Sequence, residues 1–338
     1  MSAMKERTKS WTYRIIVFIL GIGILLALIY HAGFERFSDI ILQTSPYWIA
    51  TAVIIYAASW IFRTWRLERF TTHAGKNIRI FDLFKLYISG YALNVILPAK
   101  LGDAATVGYL KMKGINIGRS AAIILQTRIL DVLALILLSI PAFILFFQKG
   151  APEWIRTTIF ICILVVAIPI GIVALDKNKV FSGLLDKLGN KFSHKFLKLA
   201  VEKTKDAYEG YHEIVLNKNL LAASILLSLM IWLFDGLTCY AVSIAVGAQI
   251  SIIIVVLAVS IGNVGKSAPA TPGAIGIYES VLAAVLVLFG VSFDVAIVVA
   301  ILDHAIKNLF TLAIGVPATA GIGIDVTGLY KRLSLIHI

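Results

Sequence analysis

The sequence predicts an all-α, polytopic membrane protein with about six full spans plus two broken or re-entrant helical hairpins in an inverted-topology repeat. Three observations carry that reading. Of 338 residues, 59% are hydrophobic and only 15% are charged, for a mean hydropathy of +0.90; a water-soluble domain cannot hide that much apolar surface. Runs such as IIVFILGIGILLALIY (15–30) approach the length that crosses a bilayer. These runs are continuous and do not alternate, which argues against a β-barrel.

The net charge is +12, but the basic residues fall mainly between apolar runs, as the positive-inside rule requires, so no nucleic-acid partner is expected. The first span covers 14–31 after the basic MKERTKSWTYR, and no small-residue cleavage pattern follows it, so it reads as a retained span. Its near-neutral exit HAGFERFSDIILQTS reads as an outer loop. The second span, 46–62, returns to RTWRLERFTTHAGKNIR, read as a cytoplasmic loop carrying Arg63, Arg66, Arg69, Lys76 and Arg79. The apolar piece 81–98 is then flanked on both sides by basic segments. A hairpin that enters from the cytoplasm, breaks near Asn94 to Asp103 and returns to the same side resolves this, since the limb 103–113 is too short to span.

Spans follow at 120–147, 154–175, 220–246 and 295–320. Between them, 176–219 alternates Lys with Leu, Phe and Tyr, the pattern of one or two amphipathic helices on the cytoplasmic surface. Lys331 and Arg332 mark a cytoplasmic C-terminus, matching the N-terminus of a multi-pass protein of the cell membrane. The stretch GKSAPATPGAIGIYES (265–280) packs helix breakers and charges between two apolar runs. Two readings of 250–290 stand: a second re-entrant hairpin opening from outside, or two ordinary spans joined by a polar outer loop. Cys162 and Cys239 lie inside apolar runs and read as buried thiols.

Residues 1–338 therefore read as one integral membrane domain with repeats at 81–147 and 250–320. A shift of 172 places Gly118 on Gly290, Ser120 on Ser292, and Ile129-Leu130-Asp131 on Ile301-Leu302-Asp303; a one-residue slip brings Pro98 onto Pro269. Inverted repeats in transporters place a substrate site at the repeat interface, among broken helices. Proline and glycine at membrane depth are tolerated where the freed backbone faces protein or a wet cavity, and helix N-termini there suit an anion.

Several ionisable residues fall inside spans, each costing roughly 2.5 kcal/mol or more at the bilayer centre unless paired or hydrated. Arg128 and Asp131 are spaced i,i+3 and Asp303 and Lys307 i,i+4, so each pair shares a helix face; internal salt bridges and a substrate role both fit. Asp235 has no local partner and is expected to pair across helices. Lys100 and Lys266, beside the breaks, are the best candidates to meet a phosphate. His304 reads either as a proton shuttle or as a packing histidine, and Gly102, Gly273 and Gly276 as backbone permissions. P-loop, HExxH, GxSxG and Cys/His metal patterns are lacking. No enzyme activity and no cofactor are expected.

The segments ALNVILPAKLGDAATVGYLKMKG and SAPATPGAIGIYESVLAAVLVLFGV resemble the paired signatures of the flippase-like family named for the transmembrane region of lysylphosphatidylglycerol synthase. Its first motif, N-x-x-L-P-x-x-x-G-D, falls on Asn94, Leu97, Pro98, Gly102 and Asp103. Its second, P-x-x-P-G-x-x-G-x-x-E, falls on Pro269, Pro272, Gly273, Gly276 and Glu279. The resemblance covers almost the whole chain and implies a lipid-handling domain, in some members one that moves an aminoacylated phospholipid between leaflets. Those members carry a soluble transfer domain after the spans. This chain stops at YKRLSLIHI, so a stand-alone member without synthase activity is expected.

The expected function is a flippase for a phosphate-bearing lipid, an anionic phospholipid or a polyprenyl phosphate. Its candidate substrate-binding residues are Asn94, Pro98, Lys100, Gly102, Asp103, Arg128, Asp131, Lys266, Pro272, Gly273, Glu279, Asp303 and Lys307. Two rivals stand beside it: a membrane-embedded transferase or hydrolase with Asp103 or Glu279 as base, and a scaffold using 176–219. The small-residue stretches GIGILLA and GIGI permit a homodimer without arguing for one.

Overall fold

A computed structural model describes residues 19–97, 100–146, 150–176, 180–191, 195–266 and 271–322. Helices fill these segments and no strand occurs among the described residues. The chain runs α1 (Ile19–Ala32), α2 (Phe34–Leu42), α3 (Pro46–His73), α4 (Ile80–Ile96), α5 (Leu101–Met112), α6 (Ile117–Phe146), α7 (Glu153–Leu175), α8 (Val180–Lys191), α9 (Lys195–Leu216), α10 (Lys218–Ala245), α11 (Ile252–Gly265), α12 (Ile277–Leu288) and α13 (Phe293–Gly321). Among the described residues four helices, α6, α7, α10 and α13, are long and apolar enough to cross a membrane, or five spans counting α1 and α2 as one broken span.

Two expectations are corrected. The exit predicted as a loop after the first span is the helix α2, set at 89° to α1. The stretch predicted as a basic cytoplasmic loop is the second half of α3, which continues unbroken to His73. The physical reason lies in the spacing: Tyr56, Trp60, Arg63, Leu67 and Phe70 form one buried stripe at helical intervals, so Arg63 and Arg66 belong to the packed face. Their charge suggested a loop, but their periodicity is that of a helix.

Both broken segments are hairpins of antiparallel limbs. In the first, α4 stops at Ile96, and α5 begins after Lys100, a non-glycine residue in the left-handed region (φ 53°). The limbs touch backbone to backbone: a Cβ on Gly102 would lie 1.9 Å from the carbonyl oxygen of Gly90. In the second, α11 and α12 are joined through a 3₁₀ turn at Pro272–Ala274. Gly276, at φ 84°, N-caps α12 while Glu279 reaches back to its N–H. Limbs of 17, 12, 14 and 12 residues are about 18 to 26 Å long, short of a hydrocarbon core of about 30 Å.

Buried apolar residues divide the same way. One cluster, with Trp60, Tyr87 and Tyr109, surrounds the first hairpin. Another, with Val255, Tyr278 and Leu282, surrounds the second. Peripheral α7 leaves Phe160, Ile168 and Ile172 exposed, as a lipid-facing span should. The segment 176–219 supplies two helices, α8 and α9; α9 lies against the start of α6 so closely that a Cβ on Gly118 would meet the Ala207 nitrogen at 2.8 Å. At the other side, α1 braces the second hairpin's turn: a Cβ on Gly21 would lie 2.9 Å from the Ile275 carbonyl oxygen, and one on Gly276 2.8 Å from that of Gly21.

Candidate functional site

Between the two hairpins lies a cavity with about 1170 Å³ of space between atoms, open solvent included. Its wall holds Asn94 and Lys100 from the first hairpin, Lys266 and Gly273 from the second, and Arg128, Asp131, His304 and Lys307 from the spans that follow each. Most of the charges that the sequence places in lipid therefore gather around one polar space, where pairing and water lower their cost.

On the first-hairpin side, Arg128 of α6 binds both oxygens of Asp103 at the start of α5, while Asn94 Nδ2 donates to Asp103 Oδ1 at 2.8 Å. Arg128 also donates to the Tyr91 hydroxyl at 2.9 Å and stands 3.4 Å from Asp131. Asp131 has a closer partner in Arg66, at 2.7 Å, and accepts from the Trp232 indole at 3.0 Å. The i,i+3 pair exists, but each member is held more tightly across helices.

On the second-hairpin side, Lys307 reaches Asp303 at 2.9 Å and Asp235 at 2.7 Å, so Asp235 finds its partner on another helix. Tyr278 donates to Asp303 at 2.6 Å. Glu279 pairs with His304 Nδ1 at 2.6 Å. Arg63 joins the two sides: it lies 3.5 Å from Asp235 and 3.4 Å from the Tyr91 hydroxyl, with its guanidinium over the Trp60, Tyr91 and Trp232 rings at 5.4–5.6 Å.

Lys100 and Lys266 differ from these. Both border the cavity, and neither forms an ion pair among the described residues; Lys266 instead stands 3.7 Å from the centre of the Tyr278 ring. Of the remaining sequence candidates, Pro98 lies outside the described residues, as does Pro269. Gly102, Asp103, Pro272, Glu279 and Asp303 stand behind the wall. Gly102 is pressed against Gly90 with no room for a ligand, and Asp103, Glu279 and Asp303 act through Arg128, His304 and Lys307.

Sequence reasoning missed Arg63, Arg66, Tyr91, Trp232, Asn263 and Asn308. The two arginines were legible from the stripe they share with Tyr56 and Trp60; the others carry no local signal, because long-range packing alone places them at the wall. No group of three or more His, Cys, Asp or Glu among the described residues is arranged to hold a metal ion.

The family model of the lysylphosphatidylglycerol synthase transmembrane region matches residues 14–315. The chain belongs to that family. Similar to the chain are a glycosyltransferase named AglD of Haloferax volcanii, 24% identical over 84% of this chain and 50% of its own length, and UPF0104 membrane proteins. The UPF0104 protein of Pyrococcus horikoshii is 24% identical over 86% of this chain and 92% of its own. That of Methanothermobacter thermautotrophicus is 23% identical over 92% of this chain and 96% of its own. The chain thus spans about half of AglD but nearly all of the UPF0104 proteins. Membership agrees with the helical architecture: the protein is a multi-pass membrane protein.

Proposed function

We propose that this protein is a flippase that moves a phosphate-bearing lipid between membrane leaflets. The observation that carries the reading is the pair of lysines, Lys100 and Lys266, at the cavity wall beside the two helix breaks and without carboxylate partners among the described residues. An unpaired ammonium at membrane depth costs about 2.5–3.5 kcal/mol. A phosphate head group between the hairpins would offset that cost twice, while the acyl or prenyl tails stay in lipid.

The proposed topology has both termini in the cytoplasm and the hairpins entering from opposite faces as an inverted repeat, with limbs too short to span. The paired arginines, aspartates and Lys307 hold the wall. No catalytic role is assigned to Asp103 or Glu279, since each is occupied: Asp103 by Arg128 and Asn94, Glu279 by His304 and the Gly276 amide.

Reconstitution in liposomes with labelled phospholipid or prenyl phosphate tests the reading. Leaflet-to-leaflet movement without chemical change is expected, falling about 100-fold or more when Lys100→Ala and Lys266→Ala are combined, the loss of two charge-assisted contacts. A chemically altered head group would instead establish the transferase or hydrolase reading, in keeping with the name of the AglD relative. Movement untouched by the double substitution would remove the cavity from the mechanism.

A further inference from the structure

The second-hairpin side of the cavity contains an imidazole, the side chain whose ordinary titration range lies near neutral pH. His304 is 2% exposed and borders the cavity. Its Nδ1 lies 2.6 Å from Glu279 Oε1, and the other Glu279 oxygen accepts the Gly276 N–H at 2.8 Å. With both carboxylate oxygens acting as acceptors, the imidazole proton belongs on Nδ1. Nε2, the opposite ring atom, has no hydrogen-bond partner among the described residues. It therefore keeps a buried, unpartnered lone pair beside a polar site, the place where a proton would be held.

Charged and titratable groups face this imidazole from each element around it. Glu279 and Tyr278 come from α12, Lys266 from α11, and Asp235 and Cys239 from α10. Asp303 and Lys307 lie on its own helix, and Arg63 and Tyr56 stand across the cavity on α3. With His304 neutral, the carboxylates Asp235, Asp303 and Glu279 face the cations Lys266, Lys307 and Arg63, and Lys100 and Arg128 add positive charge at the same wall. A proton on Nε2 adds one more positive charge and strengthens the wall's hold on an anionic head group.

We infer that His304 is the proton-binding residue of this cavity and that an anionic head group and a proton are bound together. The inference rests on the flippase reading and supplies its energy source, a proton gradient. The step is simple: a proton forms the Nε2–H bond while Glu279 keeps Nδ1–H, and the imidazolium adds a positive charge beside the anion. The coupling is reciprocal, so the anion raises proton affinity by the factor by which the proton raises anion affinity. Carrying the proton cancels one head-group charge, so the loaded cavity crosses the membrane potential without doing work against it.

Dihexyl phosphate is the probe, because a diester holds one fixed charge across the relevant range and any pH dependence comes from the protein. Binding to the purified full chain is measured by calorimetry in buffers of different ionisation enthalpy, between about pH 5.5 and pH 8, where an imidazole changes charge. Expected are proton uptake on binding and an affinity at least about fivefold higher at the acid end. Binding with no proton uptake and a flat pH profile overturns the inference and leaves the flippase reading standing. No binding at any pH overturns that reading, and the inference with it.

In His304→Gln the profile becomes flat; a profile like wild type would assign the proton elsewhere. Glu279→Gln provides a second check that keeps the imidazole: loss of the carboxylate moves the midpoint to lower pH, and an unmoved midpoint counts against the pair. In proteoliposomes, addition of the diester is expected to raise the pH of the compartment it leaves.

Discussion

The two hairpins use the same plan with different locks. In each, a carboxylate near the start of the second limb is held by a base on the following long helix: Asp103 by Arg128, Glu279 by His304. The first base is a guanidinium, charged at every physiological pH and able to grip both oxygens at once. The second is an imidazole, whose charge depends on its surroundings. The limbs differ too: Gly102 and Gly90 meet in backbone contact, whereas the second pair meets through side chains, a Cβ on Gly262 finding the Tyr278 ring at 2.9 Å and one on Gly265 finding Val281 at 3.4 Å. The first hairpin is a rigid clasp and the second a conditional one. Motif likeness alone would have given them equal roles.

Several substitutions separate the two. The largest effect is expected at Lys307, whose ammonium serves both Asp235 and Asp303 with the side chains almost fully buried. Lys307→Met leaves those carboxylates short of a partner and should cost roughly 3–5 kcal/mol, read as lower thermal stability in detergent. A loss below about 1 kcal/mol would mean that Arg63 and Tyr278 suffice.

Next comes the contrast between glycines. Gly102→Ala forces apart two backbones that cannot yield and should destabilise by about 1–3 kcal/mol. Gly265→Ala should be neutral or slightly stabilising, since alanine favours the helix. Equal responses would erase the distinction between rigid and adaptable limbs. Arg128→Lys keeps the charge but loses the two-pronged grip on Asp103, for about 1–2 kcal/mol at this partly exposed site; a thermal shift matching that of Glu279→Gln would make the two locks equivalent.

The smallest effects are expected away from both hairpins. Lys205 pairs with Asp186 at 2.7 Å on the exposed α8–α9 surface, and Lys205→Ala should leave stability within measurement error. There, Tyr208 donates to Asp176; that bond holds the carboxyl below its usual range, while burial and the bond push the phenol up to about 12. A raised phenol contributes fully below its unfolded value near 10 and is lost as pH climbs through about 12. The depressed carboxyl contributes above its unfolded value near 4 and is lost in acid. Tyrosinate absorbance should therefore lose its latest-rising component in Tyr208→Phe.

Much of this was legible in the sequence, and the exceptions share a cause. Apolar runs located α6, α7, α10 and α13, proline and glycine marked a break near Asn94 to Asp103 and breakers within 265–280, and the alternation of Lys with apolar residues marked helices in 176–219, because hydropathy and backbone restriction act locally. Charge misled where burial overrides it: Arg63 and Arg66 sit in a helix face that a loop assignment hid. The cavity wall was legible only in part. Lys100, Lys266, Arg128, Asp131 and Lys307 stood out as charges in lipid, whereas Trp232, Asn263 and Asn308 look ordinary until the helices are packed. The i,i+3 and i,i+4 spacings found real neighbours but missed the stronger cross-helix partners, which no single-helix rule can supply.

The bracing of the second hairpin by α1 has a consequence for how the chain is made. Gly21 emerges from the ribosome 254 residues before Ile275, the carbonyl against which it is pressed. That face of α1 must therefore wait for its partner until the residues around Ile275 have been inserted. Its docking closes assembly, and lesions at Gly21 should surface as failed maturation, with the earlier-made core already built.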